Sequence, residues 1–332
     1  MRAVIVRTPG PLSGHRVEVV ADPAPGEGQV LIEARAIGVN YPDLLVAEGK
    51  YQVRPPVPFS PGKELAGVVA ALGRGATGFR VGGRVMAQVE YGAYAEKALA
   101  PQAACHTLPD TVSFEQGAAL GLAYQTAHFA LVERARCQPG ETVLVTGATG
   151  GVGLAAVEVA KALGATVLAG VTSKDKGELA RAHGADHVVD LALPELREAL
   201  RAQVFAAVGK HGADVVVELV GGDAFQGALR SLAWRGRLVV AGFAGGSVPE
   251  IKANYLLLRN IAVVGLQWSD YRDRDPGAVR AAQQELYRWH AEGKLAPLVS
   301  ATYPLEGFAE ALGRFRSRSV RGKMLLVPRA DS

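Results

Sequence analysis

The stretch Val143-Leu144-Val145-Thr146-Gly147-Ala148-Thr149-Gly150-Gly151-Val152-Gly153 decides the fold, because it reads as a buried strand turning sharply into a helix whose first turn is nearly bare of side chains. Such a turn lets backbone N–H groups and the positive end of a helix approach a diphosphate. Against the dinucleotide fingerprint, Ala148, Gly150 and Gly153 stand at the three glycine positions, with alanine at the first. The flanks fit a β-α-β unit. Thr142 to Thr146 is β-rich, Ala155, Ala156, Val157, Val159, Ala160 and Leu163 give an apolar helical face, and Thr166 to Val171 supplies the next strand. Gly150, Gly151, Val152 and Gly153 are therefore the candidate diphosphate-binding residues; a plain tight strand-to-helix connection is the bland alternative.

The end of the second strand reads Ala169-Gly170-Val171-Thr172-Ser173-Lys174-Asp175-Lys176. An NAD site places an acid about 20 residues beyond the glycines to hold the ribose hydroxyls, and an NADP site removes it and offers cations. No acid closes this strand. Ser173 can donate to a 2′-phosphate and Lys174 or Lys176 can neutralise it, while Asp175 suits a helix start. The pattern points to NADPH with Ser173 and Lys176 selecting it, against a solvated helix start carrying incidental lysines.

With 332 residues, two domains are expected. An apolar fraction of 49% with 20% charged residues suits a compact soluble chain and excludes a disordered one. The 36 basic and 32 acidic residues leave +4 spread along the chain, so no nucleic-acid partner is expected. Two cysteines, Cys105 and Cys137, can build neither a disulfide framework nor a cysteine-based zinc lobe, which suggests a reducing compartment. Charge interrupts the N-terminus before a signal-length core forms, and no later run approaches 18 uncharged apolar residues. The expectation is a cytoplasmic protein with no membrane partner.

Residues 1 to about 120 carry short apolar strands among Gly and Pro: Ala3 to Val6, Val30 to Ala36, Leu65 to Leu72 and Arg84 to Val89. That rhythm indicates an irregular β domain. Ala118 to Ala135 reads as helical. Six candidate strands follow, Thr142 to Thr146, Thr166 to Val171, His187 to Val189, Asp214 to Val217, Arg237 to Ala241 and Ile261 to Val264. Helices are expected over Lys176 to His183, Glu195 to Val208 and Ala224 to Ala233, giving a doubly wound parallel α/β sheet. After a helix from Gly277 to Glu292, Leu298 to Val327 reads as strand, helix and strand, a tail expected to return to the first domain.

With Gly38-Val39-Asn40-Tyr41-Pro42-Asp43, Pro61-Gly62-Lys63-Glu64-Leu65-Ala66-Gly67 and the glycine loop in that order, the chain resembles medium-chain dehydrogenases/reductases over essentially its whole length, and the zinc-free, zeta-crystallin-like quinone oxidoreductases most closely. The resemblance implies a GroES-like irregular β domain over 1–121 and 267–332, a six-stranded Rossmann NADPH-binding domain over 122–266, an active cleft between them, and a homodimer. Zinc-dependent relatives place a cysteine where Asn40 stands and a histidine where Lys63 stands, so no metal is expected; Glu64 reads as a carboxylate satisfied by hydrogen bonds or a nearby base. The implied reaction is hydride delivery from nicotinamide to a small-molecule acceptor, a quinone or an activated alkene.

The resemblance also assigns residues. Asn40 matches an asparagine near the nicotinamide ribose and the substrate, with a cap before Pro42 as the alternative. Tyr51 matches a cleft tyrosine and resembles the proton donor of enoyl reductases, or else is a ring packed at a loop. Asn40 and Tyr51 are thus the catalytic candidates. Thr126 matches a threonine that approaches the cofactor; the match also puts Gly242 and Phe243 against it, and sets Leu266, Gln267 and Trp268 where relatives contact the nicotinamide carboxamide through main-chain groups, with a domain-boundary core residue as the alternative for Trp268. Tyr124 and His128 read as helix packing. Leu45 and Ala47 depart from the tyrosine and arginine of better-known members. Arg314, Arg316, Arg318, Arg321 and Lys323 read as a solvated basic face, with a cofactor phosphate contact or RNA affinity as the alternative. Two other functions remain open: an NADPH-dependent enoyl or α,β-unsaturated carbonyl reductase, and a non-catalytic NADPH- or RNA-binding protein.

Overall fold

The glycine-punctuated alternation beginning at Glu141 folds as six parallel strands in the spatial order His187–Asp190, Thr166–Val171, Thr142–Thr146, Ala213–Glu218, Leu232–Val240, Ala262–Gly265. Sequence order reverses between Thr142–Thr146 and Ala213–Glu218, which is the switch point of two mononucleotide-binding halves. The central strands are buried on both faces; Val143 to Val145 and Val215 to Val217 have no accessible surface, as continuous Val/Leu runs in a parallel sheet require. This computed structural model describes residues 1–328. It divides into two units: the sheet unit is Ala123–Asp270 with Gln284–Ala296, and the other is Met1–Leu122, Tyr271–Gln283 and, among the described residues, 297–328.

In the second of these, the strands Val299–Pro304, Lys323–Val327, Gln29–Val39, Glu64–Leu72, Arg84–Gln88 and Cys105–Thr107 form one sheet, with Lys97–Pro101 also paired to Gln29–Val39. The C-terminal strand pairs antiparallel with Gln29–Val39, Met324 opposite Val39, so the tail completes the N-terminal β unit. Ile32, Ile37, Leu65, Tyr94 and Leu326 share its core.

Three local expectations are corrected. The helix expected over Ala118 to Ala135 is broken into Phe114–Ala119, Leu122–His128 and a π-helical turn at Phe129–Arg134. The break has a cause, because the Leu122 N–H donates to a Glu64 carboxylate oxygen at 2.6 Å and restarts the helix there. Ala233 lies in the strand Leu232–Val240 rather than in the preceding helix, which ends at Ser231. The segment Gln284–Ala296 groups with the sheet unit although residues before and after it do not.

Candidate functional site

In the sheet unit, Gly147 takes φ +64 at the end of Thr142–Thr146, and Gly150 precedes the helix Gly151–Ala162 in extended conformation. The two fingerprint glycines are needed for different reasons. A Cβ on Gly153 would lie 2.1 Å from the Gly147 carbonyl oxygen, so only glycine lets this helix sit on the turn. A Cβ on Gly150 would meet nothing nearer than 3.7 Å, which leaves an open cradle before the first N–H groups of the helix, those of Gly151, Val152 and Gly153. A diphosphate fits that arrangement.

The loop is braced by a residue that sequence reading passed over. Glu218, buried at the end of Ala213–Glu218, accepts the Thr146 hydroxyl at 3.0 Å and the Val220 and Gly221 N–H groups at 3.0 Å, while Thr146 Oγ1 accepts the Leu219 N–H at 3.0 Å. Both strand ends at the switch point are thereby tied. Burial pushes the Glu218 carboxyl above the usual range against these three donors. Its signal in the chain was an acid closing the buried run Val215-Val216-Val217.

No acid lies within Thr166–Val171, and the turn after it offers Ser173, Lys174 and Lys176. The helix starts at Lys174, two residues before the expected start, with Ser173 at its N-cap. The Ser173 hydroxyl donates to Asp175 Oδ1 at 2.5 Å, and Lys176 Nζ to Thr172 Oγ1 at 3.2 Å. A 2′-phosphate fits the lysines of this turn, and the Ser173 hydroxyl reaches it by leaving Asp175. After the fifth strand, the Ala244 and Gly245 N–H groups donate to the Leu219 and Val220 carbonyls, so the Gly242-Phe243 loop is stitched to the loop after the fourth strand. The Phe243 ring is partly exposed. Leu266 N–H donates to Val240 O at 3.0 Å; Gln267 is exposed, and Trp268 is buried at the start of the helix Trp268–Arg274. Thr126 is buried within Leu122–His128.

In the other unit, Asn40 precedes the helix Tyr41–Ala47, and its side chain turns inward. Asn40 Nδ2 donates to Glu64 Oε1 at 2.9 Å and weakly to Gly38 O at 3.4 Å; Oδ1 accepts from Lys323 Nζ at 2.6 Å. Lys323 also pairs with Glu64 Oε1. The carboxylate fits because Gly38 and Gly121 have no side chain: a Cβ at either would lie 2.4 Å from a Glu64 oxygen. Lys323 is thus a buried partner of Asn40 and not the end of a solvated face, a correction that the inward start of the strand Lys323–Val327 explains. Glu64 is held by a base, as expected.

Two further clusters adjoin Asn40 and Tyr51. The fully buried Asp43 accepts the Asn40 N–H and the Tyr94 hydroxyl, both at 2.9 Å on Oδ2. Burial pushes its carboxyl up to about 6, against the Lys63 charge and these two donors. Lys63 is buried; it pairs with the Glu90 carboxylate and donates to Glu90 O at 3.1 Å, and its ammonium lies 4.8 Å from the centroid of the Tyr51 ring. Arg272 holds the other Glu90 oxygen at 3.0 Å. Two ammonium groups, an amide and paired carboxylates do not make a zinc site. Among the described residues, no three His, Cys, Asp or Glu side chains converge as ligands.

Residues 26–110 match the alcohol dehydrogenase GroES-like domain and residues 151–284 the zinc-binding dehydrogenase family. The chain is 37% identical over 311 residues to quinone oxidoreductase-like protein 2 of Rattus norvegicus, covering 93% of this chain and 88% of that one. It is similar to the crystal structure of Escherichia coli quinone oxidoreductase complexed with NADPH, with TM-score 0.90 and 29% identity over 99% of this chain and 100% of that one. The quinone oxidoreductase of Pseudomonas syringae gives TM-score 0.91 at 32% identity, over 98% and 99% of the two chains.

Proposed function

Because the chain belongs to the quinone oxidoreductase branch of the medium-chain dehydrogenase/reductase family, we propose that it is an NADPH-dependent reductase of quinones and related electron-poor acceptors that works without zinc. The observation that carries this reading is the pairing of an open glycine cradle at Gly150 with an acid-free strand end bearing Ser173 and Lys176. NADPH, when bound, supplies the hydride. The helix N-terminus at Gly151 to Gly153 would hold the diphosphate, Ser173 and Lys176 would hold the 2′-phosphate, and Thr126, Gly242, Phe243 and Leu266 to Trp268 would line the rest of the cofactor.

Asn40 borders the nicotinamide ribose and the acceptor. Its amide donors are committed to Glu64 and Gly38, so the group it offers outward is the remaining lone pair of Oδ1, which accepts from a hydroxyl. Tyr51 donates a hydrogen bond, and then a proton, to the acceptor oxygen. One observation favours the enone reading in particular: a cation lies against the Tyr51 ring, which suits a phenol that must lose its proton. The working form is a homodimer. Among the described residues, Ala262–Gly265 ends its sheet with one side unpaired, and the preceding helix exposes Leu257 and Leu258, an edge and apolar pair suited to a second copy. The compartment is the reducing cytoplasm, which suits two free buried thiols, Cys105 and Cys137.

The test is steady-state NADPH oxidation against quinones, enones and aldehydes, before and after chelator treatment. Turnover of quinones or enones that survives the chelator is expected. Activity only on aldehydes, or loss of turnover restored by Zn²⁺, would overturn the reading.

A further inference from the structure

The unexplained group beside the acceptor residues is the Lys63 ammonium. Its side chain is 4% exposed, and holding an ammonium away from water costs several kcal/mol unless partners repay it. Two donors go to Glu90, one to its carboxylate and one to its carbonyl, and the remaining face of the ammonium is turned to the Tyr51 ring. Glu90 is itself fixed by Arg272. Arg272, Glu90, Lys63 and the Tyr51 ring are therefore in successive contact.

We propose that Lys63 is a positioning residue that seats the Tyr51 ring and stabilises the phenolate formed when Tyr51 gives up its proton, so that it sets the preference for acceptors needing a protein proton. The inference rests on the reading of Tyr51 as proton donor. The balance of the step is simple. The acceptor gains a hydride at its β-carbon as NADPH becomes NADP⁺; the Tyr51 O–H bond breaks, its proton passes to the enolate, and water later returns a proton to the phenolate. A positive charge near the ring favours the anion over the neutral phenol, and an acid whose proton is lost closer to neutral pH is the better donor at pH 7. A quinone needs this less, because the hydroquinone oxygens exchange protons with water.

The charged groups around the pair are Glu90 and Arg272, the Asp43 carboxylate within the field of Lys63 and Lys323, and Glu48, on the segment leading to Tyr51, which pairs with both Lys50 and Arg316. They give two substitutions of opposite sign. Lys63→Met removes the cation and raises the proton affinity of the phenolate; Glu90→Gln removes the opposing anion and lowers it.

The experiment is the pH profile of kcat for an enone between pH 6 and 10, with a quinone run in parallel. In Lys63→Met the alkaline limb should move up by about one pH unit or more, with the enone rate at pH 7 falling roughly tenfold and the enone-to-quinone ratio falling with it. Lys63→Arg should restore the limb, and Glu90→Gln should move it down. Limbs that coincide with the wild type in both Lys63→Met and Glu90→Gln, while Tyr51→Phe abolishes the limb, overturn the inference and leave Tyr51 as donor. A wild-type limb in Tyr51→Phe instead removes the donor role itself. Should Lys63→Met fail to fold, Glu90→Gln still decides the sign: a limb that moves down supports the inference and one that stays at the wild-type position overturns it.

Discussion

Lys323 Nζ reaches Asn40 Oδ1 at 2.6 Å while Asn40 Nδ2 reaches Glu64 Oε1 at 2.9 Å, and Lys323 pairs with that same carboxylate oxygen. Both ends of one amide are thus set by the two members of a buried ion pair. The donor side of Asn40 faces an acceptor and its oxygen faces a cation, so the flipped amide would put like against like on both sides. The orientation of a candidate catalytic group is therefore fixed from the C-terminal strand, far along the chain.

Removing one member of such a pair strands the other. Lys323→Met should cost about 3–5 kcal/mol in urea unfolding, because Glu64 remains as an uncompensated buried charge. Lys323→Met combined with Glu64→Gln should cost less than Lys323→Met alone. Additive costs in this cycle would show that the two side chains do not act as a pair.

Asp43 gives a pH dependence of defined sign. Its carboxyl is raised from the usual 3.8 to about 6 by burial, so the folded protein holds this proton more tightly than the unfolded chain does. Its stabilising contribution is complete below about pH 3.8 and is lost as pH rises through about 6, a change of roughly 3 kcal/mol. Relative to Asp43→Asn, the wild type should lose most of that amount of stability between pH 4 and 7 in denaturant titrations. A difference independent of pH would mean that Asp43 is ionised throughout.

The sheet was legible because each parallel strand is a short Val-rich run between glycine turns, and burial on both faces leaves little else such runs can be. Thr142–Thr146 and Thr166–Val171 begin and end where periodicity puts them. The acceptor half was legible only as motifs. Its working contacts join Lys323 to Glu64 across 259 positions and Arg272 to Glu90 across 182, and no local period encodes such meetings. Lys323 looked like the last member of a basic run; what distinguishes it is Met324-Leu325-Leu326-Val327 behind it, a buried strand whose first residue faces in. The broken helix near Gly121 was hidden for a related reason, since the acid that interrupts it, Glu64, lies 58 residues upstream.

Cofactor choice should depend on Lys176. Replacing it by alanine removes one cation from the turn after Val171 and leaves the glycine loop untouched. Titrations followed by tryptophan fluorescence should show NADPH affinity falling about tenfold, the usual weight of a charge-assisted contact, with NADH affinity little changed. A parallel loss for both cofactors would assign Lys176 to the fold of the turn and not to the phosphate.

The two fingerprint glycines should separate folding from binding. In Gly153→Ala the new methyl would lie 2.1 Å from the Gly147 carbonyl oxygen, so helix and turn must part; about 1–3 kcal/mol of stability and most NADPH affinity should be lost together. Gly150 has φ −71 and ψ 173, which alanine adopts without strain, and nothing nearer than 3.7 Å to meet. Gly150→Ala should therefore change stability by no more than about 1 kcal/mol, a range that includes the weaker capping by alanine. Its methyl would project into the space assigned to the diphosphate, so NADPH binding should weaken at least tenfold while thermal unfolding of the free protein barely moves. If Gly150→Ala binds NADPH like the wild type, the diphosphate does not approach the helix at Gly150, and the cradle is a turn and nothing more.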